Sequence, residues 1–82
     1  MKVIVWSKYH CPHCDQAKSL LDRHGLEYVE HKIGNGFTRE DLLEQIPNAR
    51  SVPQIIINGE IVGGLTELQK HLSENWRKYV NQ

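Results

Sequence analysis

Two cysteines separated by two residues, Cys11-Pro12-His13-Cys14, are the groups in this protein best suited to covalent chemistry. The nucleophile in disulfide exchange is the thiolate, so a redox site of this kind must favour the ionised sulfur. Pro12 suits the first position of a helix, where its missing N–H costs nothing. Cys11 then falls at the N-cap, where free N–H groups and the helix dipole favour negative charge. Lys8, His10 and His13 add positive charge nearby. Such surroundings lower a cysteine pKa from ~8.5 into the range of ~3.5–7.5. Cys14 lies one turn further in and returns beneath Cys11, a position that predicts burial and a higher pKa. On this reading Cys11 attacks and Cys14 resolves.

Two other readings compete. The pair could be ordinary helix cysteines, but the preceding apolar run, the proline and the spacing argue for a redox motif between a strand and a helix. Zinc is the second competitor, since His10, Cys11, His13 and Cys14 are all possible ligands. Structural zinc normally draws its four ligands from two separated pairs. Here all four candidates crowd into one turn stiffened by Pro12, so no metal is expected.

The elements that must position this pair can be read along the sequence. Lys2 to Trp6 is a short, nearly continuous apolar run, which predicts a strand buried on both faces, and Ser7 to His10 a loop. Ala17, Leu20, Leu21 and His24 recur at helical spacing, and Gly25 closes that helix. Leu26 to Ile33 reads as a second strand, with Val29, His31 and Ile33 on one face, followed by a Gly34-Asn35-Gly36 turn. Thr38 and Asp41 form a capping box for a short helix carrying Leu42, Leu43 and Ile46 and stopped by Pro47. Gln54 to Ile57 is an apolar strand, Asn58-Gly59 a type I′ hairpin turn, and Glu60 to Val62 the returning strand. Thr66 and Gln69 read as a second capping box, opening a helix with Leu68, Leu72, Trp76 and Tyr79 turned inward. The order is βαβαββα. It predicts an α/β fold, a four-stranded mixed sheet flanked by helices on both faces, in a single domain over residues 1–82.

Composition limits the function classes. Ten basic and ten acidic residues cancel, so no basic face is implied for nucleic acid or an anionic membrane. Two cysteines are too few for a secreted disulfide framework. The apolar start is too short for a signal-peptide core, and no run approaches a membrane span. These features predict a cytoplasmic protein, where a cysteine pair is catalytic more often than structural.

Three separated motifs then resemble the glutaredoxins, small members of the thioredoxin-like fold. Cys11-Pro12-His13-Cys14 matches their dithiol site, Ser51-Val52-Pro53 their Thr-Val-Pro, and Gly63-Gly64-Leu65-Thr66-Glu67-Leu68 their Gly-Gly turn. The resemblance runs nearly end to end. It implies a cis peptide before Pro53, with the proline facing the active thiol, and a groove for glutathione. Lys8 would meet the glycyl carboxylate, and Arg39 lies near the family position that shares this task. Val52 would pair its backbone with the cysteinyl part, while His13, Pro53 and Gly64 would line the groove. Thr66 and Glu67 would hold the γ-glutamyl end at a helix N-terminus. His13 replaces the commoner tyrosine, which suggests a less reducing potential. Glu67 replaces aspartate, one methylene longer.

The resemblance therefore implies a monomeric glutathione-dependent oxidoreductase with no tightly bound cofactor, glutathione serving as reducing co-substrate. Its clients would be disulfide-containing or glutathionylated proteins, ribonucleotide reductase among them. Two alternatives stay open: reduction by thioredoxin reductase, and a carrier of a [2Fe–2S] cluster between two subunits. Lys8 and Thr66-Glu67 count against the first and Pro12 against the second. His24, His31 and His71 read as solvated or structural, and Trp6 and Trp76 as core. Tyr9 reads equally as a substrate contact or as packing on the sheet edge.

Overall fold

The computed structural model describes the backbone of residues 1–80 and side chains through residue 74. Four strands and three helices follow in the expected order: β1 (Val3–Lys8), α1 (Pro12–Arg23), β2 (Val29–Ile33), α2 (Arg39–Gln45), β3 (Gln54–Ile57), β4 (Glu60–Gly63) and α3 (Leu65–Val80). The strands lie in the order β2-β1-β3-β4. β1 runs parallel to β2, and β3 is antiparallel to both β1 and β4. The side chains of Trp76 and Tyr79 lie outside the described residues.

The alternation of β1 divides the core. Val3 and Val5 join Ala17 and Leu21 of α1, Ile55 and Ile57 of β3, and Leu68 and Leu72 of α3 on one face. Trp6 joins Leu42 of α2, Ile46 at its C-cap and Ile56 of β3 on the other, with Ile4 packed against them. The central strand is thus covered on both sides, as its unbroken apolar run predicts. The last two residues of β1 also divide between the faces: Ser7 continues the first and is fully buried, while Lys8 belongs to the second.

Local boundaries differ from the sequence reading in six places: β1 starts at Val3 rather than Lys2, α2 ends at Gln45 with Ile46 as its C-cap, and four further differences follow. Ser7 and Lys8 belong to β1 rather than to a loop, because they pair with Lys32 and Ile33 of β2. Leu26–Tyr28 form no strand, and β2 begins at Val29, which is exposed although it shares a phase with His31 and Ile33. Gly63 extends β4 by one residue. The cap of α3 is not Thr66 with Gln69. Gly64 supplies the first helical carbonyl to the Leu68 N–H, and its own N–H donates to Glu67 Oε1 at 2.9 Å. The Thr38–Asp41 box forms as expected, reciprocally, and Asn58-Gly59 adopts positive φ at both residues, the I′ geometry.

His31 is structural. Its ring stacks on Phe37 at 4.2 Å and meets Trp6 edge-on at 4.8 Å between centroids. Burial, with Lys2 adding to it, pulls its pKa below the ordinary imidazole value. On the opposite face a polar cluster ties three elements together. Ser7 Oγ donates to Glu30 Oε2 at 2.5 Å, and Lys18 Nζ donates to the same oxygen at 2.9 Å. Lys18 also lies 3.6 Å from Asp15. Burial pushes the Glu30 carboxyl up, but hydrogen bonds from Ser7 and Lys18 and the ammonium charge outweigh it, so the net shift is downward. The hydrogen bond to Glu30 raises Lys18.

The signs define a window. A depressed carboxyl contributes stability above its unfolded value of 4.5 that is lost as pH falls through its folded value. A raised lysine contributes below 10.5 and loses it as pH rises further. Glu30→Gln should therefore cost about 1 kcal/mol near neutrality. Thermal melts of both proteins across the pH range should converge below the carboxyl titration; a constant gap down to strong acid would contradict this account.

Candidate active site

The site is assembled where β1 ends and α1 begins. His10 adopts φ of 55°, which turns the backbone out of the sheet edge. Cys11 then takes extended dihedrals at the N-cap of α1, with Pro12 at the first helical position. Where a cap usually offers a side-chain oxygen, Cys11 offers sulfur: its Sγ accepts the Cys14 N–H at 3.2 Å. The Asp15 N–H reaches the Cys11 carbonyl at 3.1 Å. The two Cα atoms lie 5.2 Å apart and the cysteines are joined as a disulfide. Cys14 is 1% exposed and Cys11 8%, so it is Cys11 that retains a surface.

The second wall comes from the segment before β3. The Val52–Pro53 peptide is cis, and the Val52 carbonyl oxygen lies 3.9 Å from Cys11 Sγ. The N–H of Val52 has no hydrogen-bond partner among the described residues. Two cavities meet at Ser51 and Val52. One, of about 210 Å³, is lined by Lys8, Arg39 and Arg50 over a floor that includes Ile33, Leu42 and Ala49. The other, of about 230 Å³, is lined by His13, Pro53, Gly64, Thr66 and Glu67. The residues singled out from sequence are thereby gathered into one groove past the cysteine pair. Arg39 belongs to it, at the start of α2.

Three further side chains complete the surroundings of the site. Glu67 turns its carboxylate back onto the Gly64 N–H, so part of its acceptor capacity is used within its own turn. Tyr9 is half exposed and packs at the β2 edge, its ring beneath Lys32 Nζ at 4.7 Å and against Gly34. Arg50 was not singled out from sequence, yet it lines the cationic cavity. Only its place directly before the Ser51-Val52-Pro53 motif could have pointed to it. Among the described residues no cluster of three or more histidine, cysteine or acidic residues is placed to hold a metal ion. None of their helices is long and apolar enough to cross a membrane.

A mixed sheet of order β2-β1-β3-β4, an N-capping cysteine bonded to a buried partner and a facing cis proline define a thiol–disulfide oxidoreductase of the thioredoxin-like fold. The chain belongs to the glutaredoxin family: the family's sequence profile matches residues 3–62. Glutaredoxin 3 of Escherichia coli K12 is 36% identical over 67 residues, covering 80% of each protein. The crystal structure of Glutaredoxin 1 from Francisella tularensis, complexed with cacodylate, superposes with a TM-score of 0.74 at 27% identity, covering 99% of this chain and 98% of that one. A buckwheat glutaredoxin in complex with glutathione superposes with a TM-score of 0.71 at 26% identity, covering 95% of this chain and 70% of that one.

Gly63 sits where an L side chain does not fit. Gly63 has φ of 119°, and a Cβ there would meet the Glu67 side chain at 3.0 Å. Gly63→Ala should therefore lose about 1–3 kcal/mol of stability, measured by denaturant unfolding. A variant as stable as the parent would show that this turn tolerates an L side chain.

Proposed function

We propose that the protein is a glutathione-dependent dithiol oxidoreductase that reduces protein disulfides and mixed disulfides of glutathione. The observation that carries this reading is the groove itself. Cations line one end, the Val52 N–H, without a partner among the described residues, lies at its middle beside Cys11, and the N-terminus of α3 closes the other end. These are the demands of the tripeptide, with a glycyl carboxylate at one end and a charged γ-glutamyl group at the other. The buckwheat relative bound to glutathione supports it.

With a glutathionylated protein, the Cys11 thiolate attacks the glutathione sulfur. A Cys11–glutathione disulfide forms, the client–sulfur bond breaks, and the client leaves as a thiolate that takes up a proton. A second glutathione thiolate then attacks the bound glutathione sulfur, releasing oxidised glutathione and the Cys11 thiolate. With a protein disulfide, Cys11 forms a mixed disulfide with one client sulfur and the other leaves as a thiol. Cys14 attacks Cys11 Sγ, giving the intramolecular disulfide and freeing the client. Two glutathione molecules supply the two electrons that restore the dithiol. The Cys14 N–H that meets Cys11 Sγ, together with the helix N-terminus, stabilises the thiolate at each stage.

In this reading the protein works as a monomer in the reducing cytoplasm, glutathione is a co-substrate and no cofactor is held tightly. Ribonucleotide reductase is among the proposed clients. Lys8 and Arg39 take the glycyl carboxylate; His13, Pro53 and Gly64 line the groove; Thr66 and Glu67 take the γ-glutamyl end.

Reduction of the mixed disulfide of glutathione and β-hydroxyethyl disulfide, coupled to glutathione reductase, tests the proposal. Activity should persist in Cys14→Ser and vanish in Cys11→Ser. Lys8→Ala should raise the KM for the glutathione mixed disulfide about fivefold while kcat changes little, since one exposed ion pair is worth up to about 1 kcal/mol. Turnover only with thioredoxin reductase would overturn the glutathione reading.

A further inference from the structure

The cavity beside Val52 holds more positive charge than glutathione requires. Lys8, Arg39 and Arg50 line it and no carboxylate does. None of the three has an acidic partner within ion-pair distance among the described residues, where the ion pairs that form are those of Lys18. The neutral total charge therefore conceals a local excess. Glutathione brings one carboxylate to this end, and Lys8 with Arg39 already answers it. Arg50 is left over.

The direction of the groove says what Arg50 faces. In the tripeptide, glycine follows cysteine, so the residues that come after the reacting cysteine run toward the cations. A client whose own cysteine is attacked must place its backbone along the same Val52 segment, whose N–H has no partner among the described residues, because Cys11 Sγ lies against that segment. Its following residues then enter the cationic cavity in place of the glycyl group. At the opposite end the Glu67 carboxylate and the N-terminus of α3 offer no comparable cation excess.

We propose that Arg50, together with Lys8 and Arg39, selects protein disulfides in which an acidic side chain lies one or two residues after the cysteine attacked by Cys11. This rests on the groove orientation assigned to glutathione above. Arg50 is exposed, so its contribution belongs to selectivity and encounter rather than to the chemical step. The reaction is the exchange already described. Cys11 bonds to one peptide sulfur and expels the other peptide as a thiolate; Cys14 then displaces the first as the Cys11–Cys14 disulfide forms. Two electrons pass from dithiol to peptide disulfide.

Single-turnover reduction of homodimeric peptide disulfides by the pre-reduced full-length protein tests this without glutathione. The probes are acetylated, amidated tetrapeptides Ala-Cys-Glu-Ala, Ala-Cys-Gln-Ala and Glu-Cys-Ala-Ala. At low ionic strength the first should react about fivefold faster than the second, from an exposed pair worth up to about 1 kcal/mol. The third, with its acid on the wrong side, should show no such advantage. Arg50→Gln should compress the Glu-to-Gln ratio toward one, and this internal ratio is unaffected by any general loss of active protein. High salt should compress it likewise. A ratio of one in the parent, an unchanged ratio in Arg50→Gln, or an equal advantage for the reversed peptide overturns the proposal. The ratio persisting without glutathione-coupled turnover would overturn the glutathione reading alone; coupled turnover without the ratio would overturn this proposal alone.

Discussion

The sulfur of Cys11 occupies the place of a helix-capping oxygen, and the rest of the structure depends on that contact. A helix start leaves N–H groups without partners, and here one of them, on Cys14, is directed at Cys11 Sγ. The group that satisfies the helix is also the one proposed to react. Pro12 removes a competing donor at the first position and pre-sets its backbone angle. Burial of Ala17 and Leu21 against the sheet fixes the axis of the helix, so the capped end meets the Val52–Pro53 segment rather than open solvent.

Positioning of that helix is shared between apolar and polar contacts. The apolar face supplies most of the driving force, but it is non-directional. Register is better specified by the Lys18–Glu30–Ser7 cluster, whose hydrogen bonds reach from α1 to β2 and β1. Lys18 lies one turn beyond Cys14, so this anchor is close to the reactive end. The second face of the sheet is quieter chemically: Trp6, His31 and Phe37 pack as a T-shaped and stacked aromatic group beneath α2. That packing holds the strand end carrying Lys8 opposite the start of α2 carrying Arg39, which builds one wall of the groove.

Much of this was legible in the sequence because the signals are local. The cysteine spacing, Pro12, the Thr38–Asp41 box, Gly25 and Asn58-Gly59 each act within a turn or two, and each formed as read. The misreadings have two causes. Ser7 and Lys8 look like loop residues by polarity, yet pairing with β2 keeps them in the strand. Thr66 looks like a cap by residue type, but the groove-side geometry of Gly64 lets Glu67 fold back and take the role. For Ser7 and Lys8 a strand remote in sequence decided the conformation; for Thr66 a competing contact within the same turn did.

The sequence by itself determined the order of the elements, the two-sided burial of β1 and the pairing of Cys11 with Cys14. Those follow from periodicity, capping and i, i+3 spacing, which are properties of short stretches. Tertiary structure alone decided what stands beside the cysteines. β1 lies next to β3, so Lys8, Arg50 and Val52, with Lys8 remote from the other two in sequence, line one cavity. It also decided that charges summing to zero along the sequence do not cancel in space, because the sheet gathers three cations where no carboxylate follows. Composition counts charges without placing them, and electrostatic interaction depends on separation; only the folded protein sets those distances.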